Sequence, residues 1–239
     1  MKFFINGEKQ DNLKYSYYFN QSDNIIELIW NRKLTSTKNM FYKCSDIIEL
    51  DLSKFDSSKM NDMGGMFTYC SSITSINLSN FNTSLVKGMS SMFNGLSSLV
   101  SLNVSSFNTS NANNMCYMFL GCSSLTSLNL SNFDTSKSQY LHSMFSGCKK
   151  LEYINIKYFN DSLASFSNIF RDVPENVIVC ILSENDFNKK IFSELKKKKC
   201  YTIDCSDDWK ANQKKVINKA INECECDFDS CLSCPNLYE

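Results

Sequence analysis

The chain has 239 residues, 43% of them hydrophobic and 21% charged, enough apolar side chain to build a sizeable core and too much for general disorder. Twenty-five basic and twenty-five acidic residues cancel, which removes the positive field that a nucleic-acid reader or an anionic-membrane binder relies on. One histidine, seven glycines and two prolines leave little for imidazole acid–base chemistry, for His-ligated metals or for glycine-rich phosphate loops, so most enzyme classes lose their usual parts.

In chain order, Met1 to about Asn24 is expected to form an N-terminal cap, since it precedes any repeat. Its opening run, Met1-Lys2-Phe3-Phe4-Ile5, meets polar Asn6 before a secretory hydrophobic region can develop, and no apolar run approaches the roughly 18 to 20 residues that span a bilayer. No direct membrane insertion is expected of these residues. Ile25 to Phe41 reads as a shortened first unit with a strand at Ile25–Trp30. A strict period then follows: Met40-Phe41, Met66-Phe67, Met92-Phe93, Met118-Phe119 and Met144-Phe145 recur every 26 residues. Two further columns keep that spacing, Leu50, Ile76, Leu102, Leu128, Ile154 and Leu52, Leu78, Val104, Leu130, Ile156. Within a unit, Leu125 to Phe133 alternates at its centre as a half-buried strand does, an Asx/Ser/Thr turn follows at Asp134-Thr135-Ser136, and Leu141, Met144, Phe145 and Cys148 fall on one face of a short helix. Gly95, Gly121 and Gly147 follow three such segments, where a left-handed residue suits glycine.

The last unit, from Leu151, degenerates: Asn168-Ile169-Phe170 is one residue out of register, and Pro174 precedes a final apolar strand at Val177–Leu182. Phe187, Ile191 and Leu195 predict a C-terminal capping helix over Glu184–Lys199, and its basic end, Lys196–Lys199, complements the helix dipole. The expected organisation is a cap over 1–24, a repeat stack over 25–182, a capping helix over 183–199 and a cysteine-rich tail over 200–239. Because one strand and one helix cannot bury their apolar faces alone, the expected fold is a right-handed α/β solenoid: a leucine-rich-repeat stack with a parallel β-sheet on one face and short helices on the other, capped at both ends. The Met-Phe pairs and the column Phe55, Phe81, Phe107, Phe133, Phe159 are placed in its core.

The recurring string Met-Phe-x-x-Cys-Ser-Ser-Leu-x-x-Leu-Asn-Leu-Ser-x-Phe-Asp-Thr-Ser, seen most fully from Gly121 to Ser136, resembles the BspA-type leucine-rich-repeat surface proteins over roughly Ile25 to Asp161. The resemblance implies a leucine-rich-repeat fold and a cell-surface or extracellular role in adhesion or recognition. Members of that family often carry a signal peptide and an anchor. Neither is visible in this chain, which is consistent with a fragment of a longer surface protein, a mispredicted start or an intracellular relative.

The non-core strand positions form the candidate binding face: Glu49, Asp51, Ser53; Ser75, Asn77, Ser79; Ser101, Asn103, Ser105; Ser127, Asn129, Ser131; Tyr153, Asn155, Lys157. As a recognition surface this is a lattice of donors and acceptors for a protein or glycan; as a structural one it is a solvated face on which stacked Asn side chains bond one another at about 4.8 Å. Cys44, Cys70, Cys122 and Cys148 share a column with Leu96, which points to buried free thiols. Cys116 and His142 sit in one column on adjacent units and would have to be tested as a thiolate–imidazole dyad, although that column also takes Gly64 and Ser90. Cys200, Cys205, Cys224, Cys226, Cys231 and Cys234 crowd the tail, in a spacing that reads as disulfides in an oxidising compartment, with a zinc site on the last four thiols or reduced cysteines as the alternatives. Sequons at Asn20, Asn82, Asn108 and Asn160 would suit a secreted glycoprotein and also arise by chance in Ser- and Asn-rich repeats. The expectation is a non-catalytic surface module with no cofactor, no metal and no nucleic-acid partner. An intracellular scaffold of the same architecture is the alternative.

Overall fold

The computed structural model describes residues 2–10, 24–29, 33–161, 163–181 and 189–195. The chain divides into two units, Met1–Leu34 and Thr35–Glu239. In the first, β1 (Lys2–Ile5) turns through Asn6 and Gly7, both at positive φ (51° and 83°), into β2 (Glu8–Gln10). An Asn-Gly pair at left-handed φ is the two-residue turn whose twist matches antiparallel strands. β3 (Ile26–Ile29) pairs antiparallel with the other edge of β1, giving the order β2-β1-β3.

The second unit is a stack of coils in which residues 26 apart lie side by side. On one side run β4 (Glu49–Asp51), β5 (Ser75–Asn77), β6 (Ser127–Asn129), β7 (Tyr153–Asn155) and β8 (Ile178–Cys180), joined in parallel as β4-β5 and β6-β7-β8. On another side a line of single parallel bridges links Ser36, Asp62, Gly88, Asn114, Tyr140 and Ser165. Two rows of phenylalanines fill the space between. Phe41, Phe67, Phe93, Phe119, Phe145 and Phe170 stack at centroid spacings of 5.5–5.9 Å, and Phe55, Phe81, Phe107 and Phe133 at 5.8–6.3 Å. The methionines Met66, Met92, Met118 and Met144 are fully buried beside them.

The expected α/β solenoid is not what forms. Among the described residues the one helix is α1 (Lys189–Leu195), inside the predicted Glu184–Lys199, and the sheet is three separate small sheets in place of one continuous surface. The segments that hold the Met-Phe pairs are turns: Met144 and Phe145 lie within the turn at 142–147, and Leu141 and Cys148 flank it. The reason is visible in the backbone. Each coil carries two left-handed residues four apart, Asn39/Lys43, Gly65/Tyr69, Ser91/Gly95, Tyr117/Gly121, Ser143/Gly147 and Asn168/Asp172, all with φ between 54° and 75°. A right-handed helix cannot pass through such residues. The N–H groups that a helix would point four residues back reach the neighbouring coil: Phe41 to Met66, Phe67 to Met92, Phe93 to Met118 and Phe119 to Met144, at 2.9–3.0 Å. The side-chain spacing read as helical is thus produced by a turn that repeats. The sheet breaks because Ser101–Asn103 forms no strand, and Ser101 keeps a single bridge to Ser127.

Candidate functional site

The strand side carries the candidate face. β4 and β5 pair Glu49 with Ser75 and Asp51 with Asn77; β6 and β7 pair Ser127 with Tyr153 and Asn129 with Asn155. Alternation turns Ile76, Leu128 and Ile154 inward. Glu49, Asp51, Ser75, Asn77, Ser79, Ser101, Asn103, Ser105, Ser127 and Asn129 are exposed, whereas Ser53, Ser131, Tyr153 and Lys157 are half-buried. Asn155 is only 6% exposed, and β8 beside it is buried at all three residues, so the polar surface closes at β7.

The asparagine column does not bond across coils to its own kind. Each side-chain oxygen instead accepts the backbone N–H two residues on: Asp51 from Ser53, Asn77 from Ser79, Asn103 from Ser105, Asn129 from Ser131 and Asn155 from Lys157, at 2.8–3.2 Å. These Asx turns end each strand. They also fix the orientation of the exposed amides of Asn77, Asn103 and Asn129, because each oxygen is held by its own turn. For Asp51 the same bond holds the carboxyl below its ordinary range.

A second column, missed in the sequence, locks the coils together. Thr83, Thr109 and Thr135, all buried, donate their hydroxyls to the carbonyls of Asn108, Asp134 and Asn160 at 2.8–2.9 Å and accept the N–H groups of the same three residues at 2.7–2.8 Å. Ser57 accepts from Asn82 in the preceding step. The recurrence of Phe-Asn/Asp-Thr-Ser was its sequence signal. At two of the sequons this leaves Asn82 and Asn108 exposed, each with its carbonyl in a further Asx turn to Ser84 or Ser110.

Cys70, Cys122 and Cys148 are fully buried and free, and each donates its thiol to the carbonyl of Phe41, Phe93 or Phe119 at 2.8–3.2 Å. Burial pushes Cys70 up to about 11 and Cys148 to about 12, and raises Cys122 well above the ordinary thiol value. Cys44, half-buried, is raised in the same direction. Cys116 is buried and raised too, the opposite of an activated nucleophile. His142 makes no hydrogen bond with it. The imidazole instead sits edge-on to Tyr117 at 4.7 Å and to Tyr140 at 6.4 Å, and no dyad forms. Cys180 is disulfide-bonded. Sequence reasoning placed disulfides in the tail and overlooked this strand cysteine. Asn20, Cys200, Cys205, Cys224, Cys226, Cys231 and Cys234, together with Lys196–Lys199, lie outside the described residues.

At the edge of the face, Ser131, Asn132, Phe133, Asp134 and Tyr158 line a shallow depression of about 220 Å³, smaller than the roughly 300–1,000 Å³ of an ordinary small-molecule cleft. Tyr158, 55% exposed, forms one wall. Among the described residues no group of three or more His, Cys, Asp or Glu is placed to hold a metal, and no helix is long and apolar enough to cross a membrane.

A family model described as "Mycoplasma protein of unknown function, DUF285" matches residues 12–101 and 73–177. No curated protein and no solved structure matches the chain.

Proposed function

The chain belongs to that family, whose description assigns no activity, and from its surface we propose that it is a non-catalytic recognition module that binds a protein or glycan through the polar strand face. The observation that carries this is the repetition of exposed Ser-x-Asn-x-Ser side chains over neighbouring coils, each asparagine held in one orientation by its own turn. Stacked repeats present such surfaces as rigid, extended platforms, and many weak identical contacts add through multivalency. Display at the cell surface, as in the BspA-type proteins that the repeat resembles, belongs to the same proposal. The Cys180 disulfide supports it, because disulfides persist in oxidising compartments. The five thiols that are free among the described residues favour an intracellular scaffold with the same face. Non-reducing mass mapping of protein from its native host separates the two: a fully reduced chain places it inside the cell.

The site is tested with a panel of immobilised matrix proteins and oligosaccharides. Asn103→Arg, at an exposed position in the middle of the face, should abolish the binding that the wild type shows while leaving the thermal melt in place. Binding that survives the arginine would move the site elsewhere on the molecule.

A further inference from the structure

The outward side of the strands is not open along its whole length. On β4, β5 and β6 burial alternates: Glu49, Asp51, Ser75, Asn77, Ser127 and Asn129 are exposed, and the residue between each pair turns inward. The parallel register carries these outward positions through Tyr153 and Asn155 of β7 to Ile178 and Cys180 of β8. There the alternation stops, with Asn155 and Ile178 each 6% exposed and Cys180 fully buried. A strand loses water from its outward positions only when something lies on that side. The continuous apolar run from Val177 to Ile181 is also the sequence of a strand covered on both faces. α1 is not the cover. Its first turn is held at Asp161 and Ala164, through the Ile191 N–H and the Lys190 ammonium, and no Cα of α1 comes within 8 Å of either strand.

Cys180 identifies what does cover β8. It is disulfide-bonded, whereas Cys44, Cys70, Cys116, Cys122 and Cys148 are free, so within this chain its partner is one of the six cysteines from Cys200 onward. The Cα atoms of bonded cysteines lie about 4.4–6.8 Å apart. Because the Cys180 side chain points outward, the partner's backbone must cross the outward side of the strands, next to Asn155. We infer that residues 200–205 lie on the β7–β8 end of the strand face as a covalent strap, bonded to Cys180 through Cys200 or Cys205. These are the first cysteines after α1. The stretch Tyr201-Thr202-Ile203-Asp204-Cys205 alternates apolar and polar residues, which gives it one apolar side to set against Ile178. The strap withdraws Asn155 and part of Tyr153 from solvent, so the length of the face open to a ligand runs from β4 to β6. Tyr153 is the one aromatic residue among these outward positions, the type that anchors tight interfaces, and the strap governs access to it.

The test uses the full chain and no ligand, so its outcome is separate from that of the ligand panel. Peptide mapping under non-reducing conditions should recover Cys180 linked to Cys200 or Cys205. Hydroxyl-radical footprinting of the same disulfide-bonded protein compares residues of one type, Ile178 against Ile48, which is 54% exposed. Ile178 should be oxidised about fivefold more slowly, or slower still. In the double variant Cys180→Ala, Ile203→Asp, which removes both the tether and the apolar contact, the Ile178 rate should rise by about threefold or more while Ile48 and Tyr117 keep theirs. Should the double variant fail to melt cooperatively, Ile203→Asp reduced with a phosphine takes its place. A free Cys180, a bond from Cys180 to a later cysteine or to a second chain, or an Ile178 that reacts as fast as Ile48 in the wild type overturns the inference. So does an Ile178 that stays equally protected once tether and apolar contact are both gone, because the cover is then some other segment.

Discussion

Thr109 and Asp134 are joined twice: the Thr109 hydroxyl donates to the Asp134 carbonyl at 2.9 Å and accepts the Asp134 N–H at 2.8 Å. One buried side chain therefore satisfies both backbone groups of a residue on the next coil. Thr109→Val keeps the shape and leaves both groups unmet, which should cost about 2–4 kcal/mol, since a buried unsatisfied polar group costs about 1–3 kcal/mol. Thr109→Ser retains the hydroxyl, as Ser57 does in the same column, and should lose less. Urea unfolding of the two variants measures the difference. Equal stability of Thr109→Val and wild type would show that the double bond is energetically idle.

Gly95 stands at φ 75°, and a methyl group placed there would meet the Tyr69 ring at 2.5 Å. Gly95→Ala therefore incurs both the left-handed penalty, about 1–2 kcal/mol, and the displacement of a ring. Tyr69 is exposed at its edge and can swing away, so the loss should lie near the backbone figure. In the same turn position, Lys43→Gly should stabilise by about 1 kcal/mol, because Lys43 holds φ 61° with an exposed side chain. Thermal melts of the two variants should move in opposite directions.

The buried thiols titrate far above their unfolded value. Where the folded pKa is raised, the folded state holds its proton longer, so the stabilising contribution is complete below the unfolded thiol value and is lost as pH climbs towards the folded one. For Cys70 and Cys148 that window runs from the ordinary thiol value up to about 11 and about 12. Urea midpoints should fall with rising pH in this range, less steeply in Cys148→Ala. At pH 8, iodoacetamide should modify Cys122 and Cys148 only as fast as the protein unfolds. Immediate labelling of the native protein would contradict their burial.

Asp161 ends the hydroxyl column, buried, with its carboxylate accepting the N–H of Ile191 at 2.7 Å. Desolvation raises its pKa despite that bond and the nearby Lys190 ammonium. A carboxyl raised above its unfolded value, near 3.9, binds more protons when folded, so this group makes the protein more stable as pH falls from neutrality towards that value. Asp161→Asn keeps the acceptor and removes the charge. It should flatten the dependence between pH 4 and 7 and be no less stable than wild type at pH 7. A steeper dependence in the variant would reverse the assignment.

The 26-residue columns were legible because a strict period forces equivalent residues into register: the stacked phenylalanines, the buried methionines, and the inward Ile76, Leu128 and Ile154 all stand where the pattern puts them. The helices were misread because Leu141, Met144, Phe145 and Cys148 share one face in a tight repeating turn as readily as in a helix. The discriminating residues were Tyr117 and Ser143, whose left-handed φ no propensity announces; Gly95, Gly121 and Gly147 hinted at it. The face was legible as a list of polar positions. The orientation of its amides was not, because the engagement of the Asn103 oxygen by Ser105 depends on how the chain turns after the strand. The antiparallel place of β3 was hidden as well, since Ile26–Ile29 shows the same alternation whichever way its neighbour runs.

Every threonine in the buried column reaches toward the higher-numbered coil, never the lower, so the pile has a head and a tail that are chemically unlike. Its length can then change only by whole turns of chain spliced between identical joints, with the Asp161 terminus left intact. An insertion or deletion of any other size would mismatch each clamp beyond it, and the molecule can be extended as a ruler is, by unit marks alone.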